Sequence, residues 1–200
     1  MPVWRHCSAQ LSLAILVYTN THKYTMKKLK SAILLALIVA TTGFSSCKKD
    51  SNGNTSGKGA ATVKASLYGF DGTSGTTFSS TAAGIVKVGN MLTITAIKEG
   101  SKESITIVLQ NVTGTGTFGL LQDNSAGHGA ILSKDYTQPA DGTLNYSTSL
   151  PSPTGVKGGG EVKITTLTST TAEGTFYIVG HNSAGKDGFV ENGTFSGKVN

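Results

Sequence analysis

Apolar and polar residues alternate along most of the chain after residue 60. In residues 91–98 (MLTITAIK), Leu92, Ile94 and Ala96 fall on one face and the threonines on the other. The same alternation returns in four further stretches, at residues 103–110, 162–164, 176–178 and 195–199. A period of two residues is typical of β-strands with one buried face, and no later segment has the apolar period of a helix. The pattern predicts an all-β domain.

Turn-forming residues separate the alternating stretches at short intervals. These turns are rich in Gly, Asn, Asp and Pro and lie at residues 89–90, 99–102, 122–127, 141–142, 151–160 and 180–188. Strands joined by such short connections pair antiparallel. We expect a single domain over residues 60–200 with about nine or ten strands. It is a β-sandwich or a flattened up-and-down barrel, and the sequence leaves both arrangements open.

A different pattern precedes this domain. Met26 begins a basic stretch that is followed by an uncharged, largely apolar run of 14 residues, 31–44, and then by Ser45, Ser46 and Cys47. This order is that of a secretory signal. The apolar run is too short to span a membrane, which takes about 20 residues. The sequence predicts a signal-peptide helix over residues 26–46, cleaved between Ser46 and Cys47.

The remaining segments complete the domain organisation. Residues 1–25 precede a signal that has its own Met and lysines, so we interpret them as an over-long N-terminal extension with initiation at Met26; the alternative is that residues 11–18 belong to a longer signal. Residues 47–59 carry no apolar side chain between Cys47 and the glycine at their end. Such a segment cannot bury surface and is expected to be a disordered tether.

Charge and cysteine content narrow the function classes. Of the 17 basic residues five precede Cys47, whereas all 11 acidic residues follow it, which leaves 12 − 11 = +1 for the mature part. Nucleic-acid binding requires a clustered basic surface, and this chain has scattered lysines. Of the two cysteines, Cys7 lies upstream and Cys47 is the lipidation candidate. We therefore expect no nucleic-acid partner and no disulfide in the domain.

The mature sequence contains one internal similarity. Residues 116–118 (GTF) lead to residues 124–127 (NSAG), and residues 174–176 (GTF) lead at the same offset to residues 182–185 (NSAG). Asn and Gly suit such turns because both tolerate a left-handed backbone. Two similar hairpins that need similar turns would explain this repeat. Two loops at one end of the sheet, forming a paired recognition rim, would also explain it.

Two histidines lie beside these loops. Together with neighbouring carboxylates and amides they form the candidate ligand loops: Asp123, Asn124, His128, His181, Asn182 and Asp187. A zinc site requires three or four N or S ligands, and two histidines without a cysteine are too few. We expect no metal, no other cofactor and no enzymatic activity. The alternative is an envelope enzyme built around His128 and His181, which requires the two loops to converge.

Aromatic residues are the other candidates for binding. They are Tyr68, Phe70, Phe78, Tyr136, Tyr146 and Tyr177. Such side chains can stack on a sugar or a peptide, but they more often pack in a core or across strands. The mature part has no Trp, since Trp4 precedes the signal. This disfavours a carbohydrate platform.

The ordered set of segments resembles a known group of proteins. The segments are ATVKA, MLTITAIK, SITIVL, GTGTFGL, GGGEVKITTL, AEGTFYIVG and the terminal NGTFSGKV, preceded by the lipobox and the tether. Together they are similar, over residues 60–200, to small all-β lipoproteins of unknown function from Bacteroidota. The resemblance implies a compact β domain on the cell envelope with no established activity.

The sequence and the resemblance together give an expected function. We expect an outer-membrane lipoprotein, palmitate-modified at Cys47 and facing the periplasm or the cell surface. Lys48 at the position after the lipidated cysteine is similar to outer-membrane sorting signals. The expected partners are the membrane, through the lipid anchor, and an envelope glycan or protein. The domain would act as a binding or structural module.

Overall fold

A computed structural model describes residues 60–153 and 155–200. The regular secondary structure of the described chain consists almost entirely of strands: β1 (Ala61–Phe70), β2 (Thr76–Ser79), β3 (Ala82–Val88), β4 (Met91–Lys98), β5 (Glu103–Leu109), β6 (Gly116–Gly119), β7 (Gly129–Ser133), β8 (Asn145–Ser147), β9 (Gly159–Leu167), β10 (Thr171–His181) and β11 (Asp187–Lys198). One 3-10 turn, Glu99–Ser101, joins β4 to β5. The predicted all-β class is confirmed.

The strands form one curled antiparallel sheet. Its main path runs β2-β1-β11-β10-β8-β7-β5-β4-β3, and β9 pairs with both β10 and β6. The sheet forks at β10: its residues 172–179 pair with β9, whereas His181 pairs with Ser147 of β8. A parallel bridge between Ile85 of β3 and Val199 links the far end of the path back to the last strand. The result is an antiparallel half-barrel.

The buried side of this half-barrel is the face predicted by the alternation. Leu92, Ile94 and Ala96 of β4 are almost completely buried, as are the matching residues of β5. Phe176 and Ile178 of β10 also point into the core. Burying an aliphatic side chain of this size stabilises the fold by about 1.5–3 kcal/mol. The core alone can therefore hold together a domain that contains no disulfide.

The sheet has 11 strands, slightly more than the nine or ten expected. The difference comes from the short strands β2, β6 and β8, which have four, four and three residues. So few residues do not establish an alternating pattern.

The predicted signal-peptide helix, the cleavage site at Ser46 and Cys47, and the tether lie outside the described residues. In the described part of the chain, no helix has the length and apolar character that crossing a membrane takes.

Candidate functional site

The first candidate loop, residues 121–128, is held together by Asn124. The Asn124 side chain accepts the His128 backbone N–H at 3.0 Å and donates to the carbonyls of Leu121 and His128 at 2.6 and 2.8 Å. Asp123, next to it, is exposed, and its carboxylate lies 3.6 Å from the ammonium of Lys157, which is also exposed. Exposed ion pairs of this kind contribute little to stability. The loop is therefore organised by its amide and not by its carboxylate.

The His128 ring, at the end of the same loop, makes two contacts within the protein. Its Nδ1 accepts the backbone N–H of Gln110 at 3.0 Å, and its edge packs against the ring of Phe118 with centroids 5.6 Å apart. Burial lowers the pKa of His128 below its ordinary value of 6.5. An imidazole whose Nδ1 accepts a hydrogen bond carries its proton on Nε2. His128 is thus a neutral residue with a structural contact.

The second candidate loop follows β10 and is held in the same way. Asn182 accepts the N–H groups of Ala184 and Lys186 at 3.0 and 2.8 Å, and its side-chain amide donates to the Thr143 carbonyl at 2.7 Å. On the adjoining β10–β11 ladder, His181 Nδ1 lies 2.9 Å from Asp187 Oδ1. The His181 ring is fully buried, and in the described structure its Nε2 has no hydrogen-bond partner.

The structure does not bring the two histidines together. His181 pairs with Ser147, and Ser147 pairs with Ile131 in the middle of β7, whereas His128 precedes the first residue of that strand. At about 3.3 Å per residue and 4.8 Å per strand, the two backbones are about 10 Å apart both along and across the sheet. The described residues also contain no group of three or more His, Cys, Asp or Glu side chains that could hold a metal. The loops are two separate structural turns.

A network of polar and aromatic groups lies close to the second loop. Tyr146 donates its hydroxyl to Asp71 Oδ1 at 2.8 Å, and the Lys134 ammonium pairs with the other carboxylate oxygen. Lys134 also lies over the rings of Phe70 and Tyr146, 5.3 and 5.5 Å from their centroids. Burial raises the pKa of Asp71, but the hydrogen bonds from Lys134 and Tyr146 outweigh it, so the pKa stays below its ordinary value. This network fastens the loop after β1 to β7 and β8.

A shallow cleft opens on the outer face of the sheet, away from both histidines. It has a volume of about 350 Å³ and lies over β9, β10 and β11. Five polar side chains line it, backed by Phe176 and Gly193: Glu161, Thr175, Tyr177, Asn192 and Thr194. Tyr177 is 51% exposed, whereas Tyr68 and Tyr146 are buried. We call this site the Tyr177 cleft.

The strand register explains how the Tyr177 cleft is assembled. Phe176 and Ile178 point into the core, so Tyr177 between them must point outwards. Across the ladders, Glu161 pairs with Tyr177 and Thr194 pairs with Thr175. Each of these pairs lies on one face of the sheet.

A β-bulge in β11 shapes the rim of the cleft. Phe176 pairs with Gly193 and Ile178 pairs with Val190, so two residues of β11 oppose the single residue Tyr177. One of them, Asn192, has a φ of 50°, in the left-handed region. Bulges of this kind redirect a side chain and are common beside functional sites. Here the bulge brings the Asn192 amide to the cleft.

The polar side chains of the Tyr177 cleft are not used by the fold. Across residues 60–153 and 155–200, none of these five side chains forms a hydrogen bond or ion pair with another residue. The candidate loops differ in this respect, since the side chains of both Asn124 and Asn182 form hydrogen bonds within the protein. The cleft therefore presents hydroxyl, amide and carboxylate groups that are available to a ligand.

Sequence reasoning named Tyr177 among the aromatics but did not single it out. Tyr177 lies between the apolar positions Phe176 and Ile178 of an alternating stretch, and this was sufficient to predict that its side chain points outwards. The neighbours supplied by β9 and β11 follow from pairing and from the bulge, which no local pattern shows. Of the six predicted site residues, His181, Asn182 and Asp187 lie together on one hairpin, and Asp123, Asn124 and His128 lie together in the other loop.

Comparison with curated proteins and with solved structures finds no match to the chain. A family described as a domain of unknown function, DUF6252, matches residues 70–197. This range contains nine of the eleven strands in full, all of β11 except its last residue, and the whole Tyr177 cleft. The chain therefore belongs to the DUF6252 family, a family of unknown function whose fold in this chain is an antiparallel β half-barrel.

Proposed function

We propose that the protein is a lipid-anchored, non-catalytic binding module of the bacterial outer membrane, acting through the Tyr177 cleft. The observation that carries the proposal is the set of five uncommitted polar side chains around an exposed tyrosine. Ligand sites combine aromatic side chains with a small number of polar groups that fix the orientation of the ligand, and the cleft contains both. Separation of the two histidines is the reason that we do not propose an enzyme built on their loops.

Anchoring rests on the segment around Cys47. The basic, apolar and small-residue order of residues 26–47 supports export followed by acylation of the cysteine. Because one acyl chain binds a membrane only marginally, stable anchoring takes more than one chain. The proposal includes an origin in Bacteroidota, palmitate on Cys47, and an outer-membrane location facing the periplasm or the cell surface. The partners are the membrane and an envelope glycan or protein, with no nucleic acid.

Labelling with radioactive palmitate tests the anchor. Cells producing the full chain should incorporate label, and the Cys47→Ser variant should incorporate none and leave the membrane fraction. A Cys7→Ser variant is the matched control, because that cysteine lies upstream of the predicted cleavage site. Equal labelling of wild type and Cys47→Ser would contradict lipidation at this residue.

Capture from envelope fractions tests the binding module. Immobilised full-length protein should retain an envelope component that Tyr177→Ala fails to retain. Tyr136→Ala is the control, since Tyr136 is partly exposed in the loop between β7 and β8. Retention by wild type and Tyr136→Ala but not by Tyr177→Ala supports the proposal. Equal retention by all three proteins, or none by wild type, contradicts it.

A further inference from the structure

We infer that the Tyr177 cleft binds a short, electrically neutral saccharide. The inference rests on the proposed function and specifies its ligand. Its first basis is the ring of Tyr177, which is 51% exposed in the middle of a sheet. The absence of Trp from the mature part speaks against a carbohydrate platform, but the phenol ring of a tyrosine is also flat and apolar with a polar tip, and the C–H face of a sugar ring can stack on it.

The second basis is the chemistry of the groups around the ring. Sugar hydroxyls both donate and accept hydrogen bonds, as do the Thr175 and Thr194 hydroxyls. The Asn192 side chain adds two N–H donors and a carbonyl acceptor, and Glu161 adds two acceptor oxygens. All are unpaired within the described residues. A polyhydroxyl ligand can satisfy this mixed set, whereas a purely apolar ligand would leave it unpaired at a cost in free energy.

The third basis is the local charge. Among the residues that the structure describes, Glu161 is the only charged side chain that lines the cleft. Two residues along β9 on the same face, Lys163 pairs with Thr175, and on the opposite side Lys64 of β1 pairs with Thr194. Two basic groups therefore flank the acidic one. An anionic sugar would meet the Glu161 carboxylate within the cleft, and like charges in contact are unfavourable. The carboxylate inside the cleft disfavours an anionic ligand and the flanking lysines disfavour a cationic one, so a neutral ligand is favoured.

The topology excludes one mode of binding, the addition of a peptide strand to β10. A peptide commonly joins a sheet by adding a strand to an open edge. The part of β10 that carries Tyr177 is paired with β9 on one side and with β11 on the other, so its backbone offers no open edge. Recognition at the cleft must therefore use side chains on the face of the sheet. With about 350 Å³, the cleft is near the lower end of small-molecule sites and suits one or two sugar rings.

The test is saturation-transfer NMR and titration calorimetry on the full-length protein, held in a zwitterionic detergent without a sugar headgroup. The probes are glucose, galactose, N-acetylglucosamine and their neutral disaccharides, with glucuronic acid as the charged comparison. We expect saturable binding of at least one neutral probe, with stronger saturation transfer to the C–H protons on one face of the sugar ring than to those on the other face. Tyr177→Ala should weaken affinity about tenfold or more, and Tyr136→Ala should leave it unchanged.

A second pair of variants tests the hydroxyls without removing the ring. Thr175→Val should weaken binding about threefold to tenfold, whereas Thr95→Val, on the outer face of β4, should not. Circular dichroism and the urea midpoint check that each variant is folded. Absence of binding by every neutral probe, preference for glucuronic acid, or equal affinity in Tyr177→Ala would overturn the inference. If saccharides fail but an envelope component is still captured in a Tyr177-dependent way, only the ligand class is wrong; if both fail, the proposed function is wrong as well.

Discussion

Asn124 and Asn182 occupy equivalent positions in the two repeated loops and make the same closing contact. Each accepts, through Oδ1, the backbone N–H of the residue four positions later, at 3.0 and 2.8 Å. Each also donates its side-chain amide to a backbone carbonyl. The internal sequence similarity thus encodes a loop that one asparagine closes, and a shared ligand site is not needed to explain it.

Replacing these asparagines should have unequal effects on stability. Asn182 is buried, and Asn182→Ala would leave the N–H groups of Ala184 and Lys186 and the Thr143 carbonyl without their partner. We expect a loss of about 2–3 kcal/mol in the free energy of unfolding. Asn124→Ala, in a half-buried loop that water can reach, should cost about 1 kcal/mol. Urea denaturation measures both, and an equal or reversed order would contradict this account.

The strands could be predicted from the sequence because their signal is local. Leu92, Ile94 and Ala96 show the period of two within eight residues, and the structure buries all three. Pairing order is not local: nothing near His181 indicates that β10 leaves β9 for Ser147 of β8. Strand β8 has only three residues, too few for a pattern.

The same distinction explains what could be predicted of the candidate sites. His181 and Asp187 are six residues apart on one hairpin, so their contact could be predicted from the sequence. The Tyr177 cleft needs Asn192 from a bulge of β11 and Glu161 from β9. Register and bulge position are set by packing of the whole sheet, and no short stretch of sequence specifies them.

The GTF segment of β10 contains a glycine that close packing requires. A Cβ added to Gly174 would lie 2.2 Å from the Lys163 carbonyl oxygen and 2.7 Å from the Phe195 ring. The Lys163 carbonyl oxygen is fixed by the pairing of β9 with β10 and cannot shift to make room. Gly174→Ala should therefore destabilise the domain by about 3 kcal/mol or more. Gly100→Ala is the control, with no atom within 4 Å of its added Cβ and an expected change within about 0.5 kcal/mol. Thermal unfolding compares the two variants. Similar midpoints would contradict the prediction, because they would show that β9 and β10 can move apart to accommodate the added methyl group.

The Tyr146 hydroxyl can be removed without disturbing its ring. Tyr146→Phe takes away the hydrogen bond to Asp71 and leaves Lys134 as the main partner of that carboxylate. We expect a loss of about 1–2 kcal/mol in the free energy of unfolding, together with a rise in the pKa of Asp71. Urea denaturation at neutral pH measures the first effect and carboxyl NMR titration measures the second. An unchanged Asp71 titration would mean that Tyr146 does not stabilise the charged form.

Asp135 makes the stability depend on pH in the acid range. Hydrogen bonds from Thr137, then from Gln138, lower the pKa of Asp135 from 3.8 to about 2. Because the folded pKa is the lower one, the stabilisation is complete above about pH 3.8 and is lost as pH falls towards 2. Thr137→Val should raise the pKa of Asp135 and make the urea midpoint less dependent on pH between 4 and 2. Thr95→Val should retain the wild-type dependence of the urea midpoint on pH. If Thr95→Val changed this dependence as much as Thr137→Val does, the effect could not be attributed to Asp135.

His128 gives a second pH dependence, nearer neutrality. Burial lowers its pKa below 6.5, so the folded protein holds the ring neutral while the unfolded chain binds a proton more readily. The contribution to stability is complete above about pH 6.5 and declines as pH falls through the lowered pKa. The ring protons should titrate in NMR with a midpoint below 6.5, and the Gln110 amide should shift in the same step because a protonated Nδ1 cannot accept its N–H. Asn124→Ala should open the loop and bring the midpoint closer to 6.5; a wild-type midpoint at or above 6.5 would show that the loop leaves the ring in water.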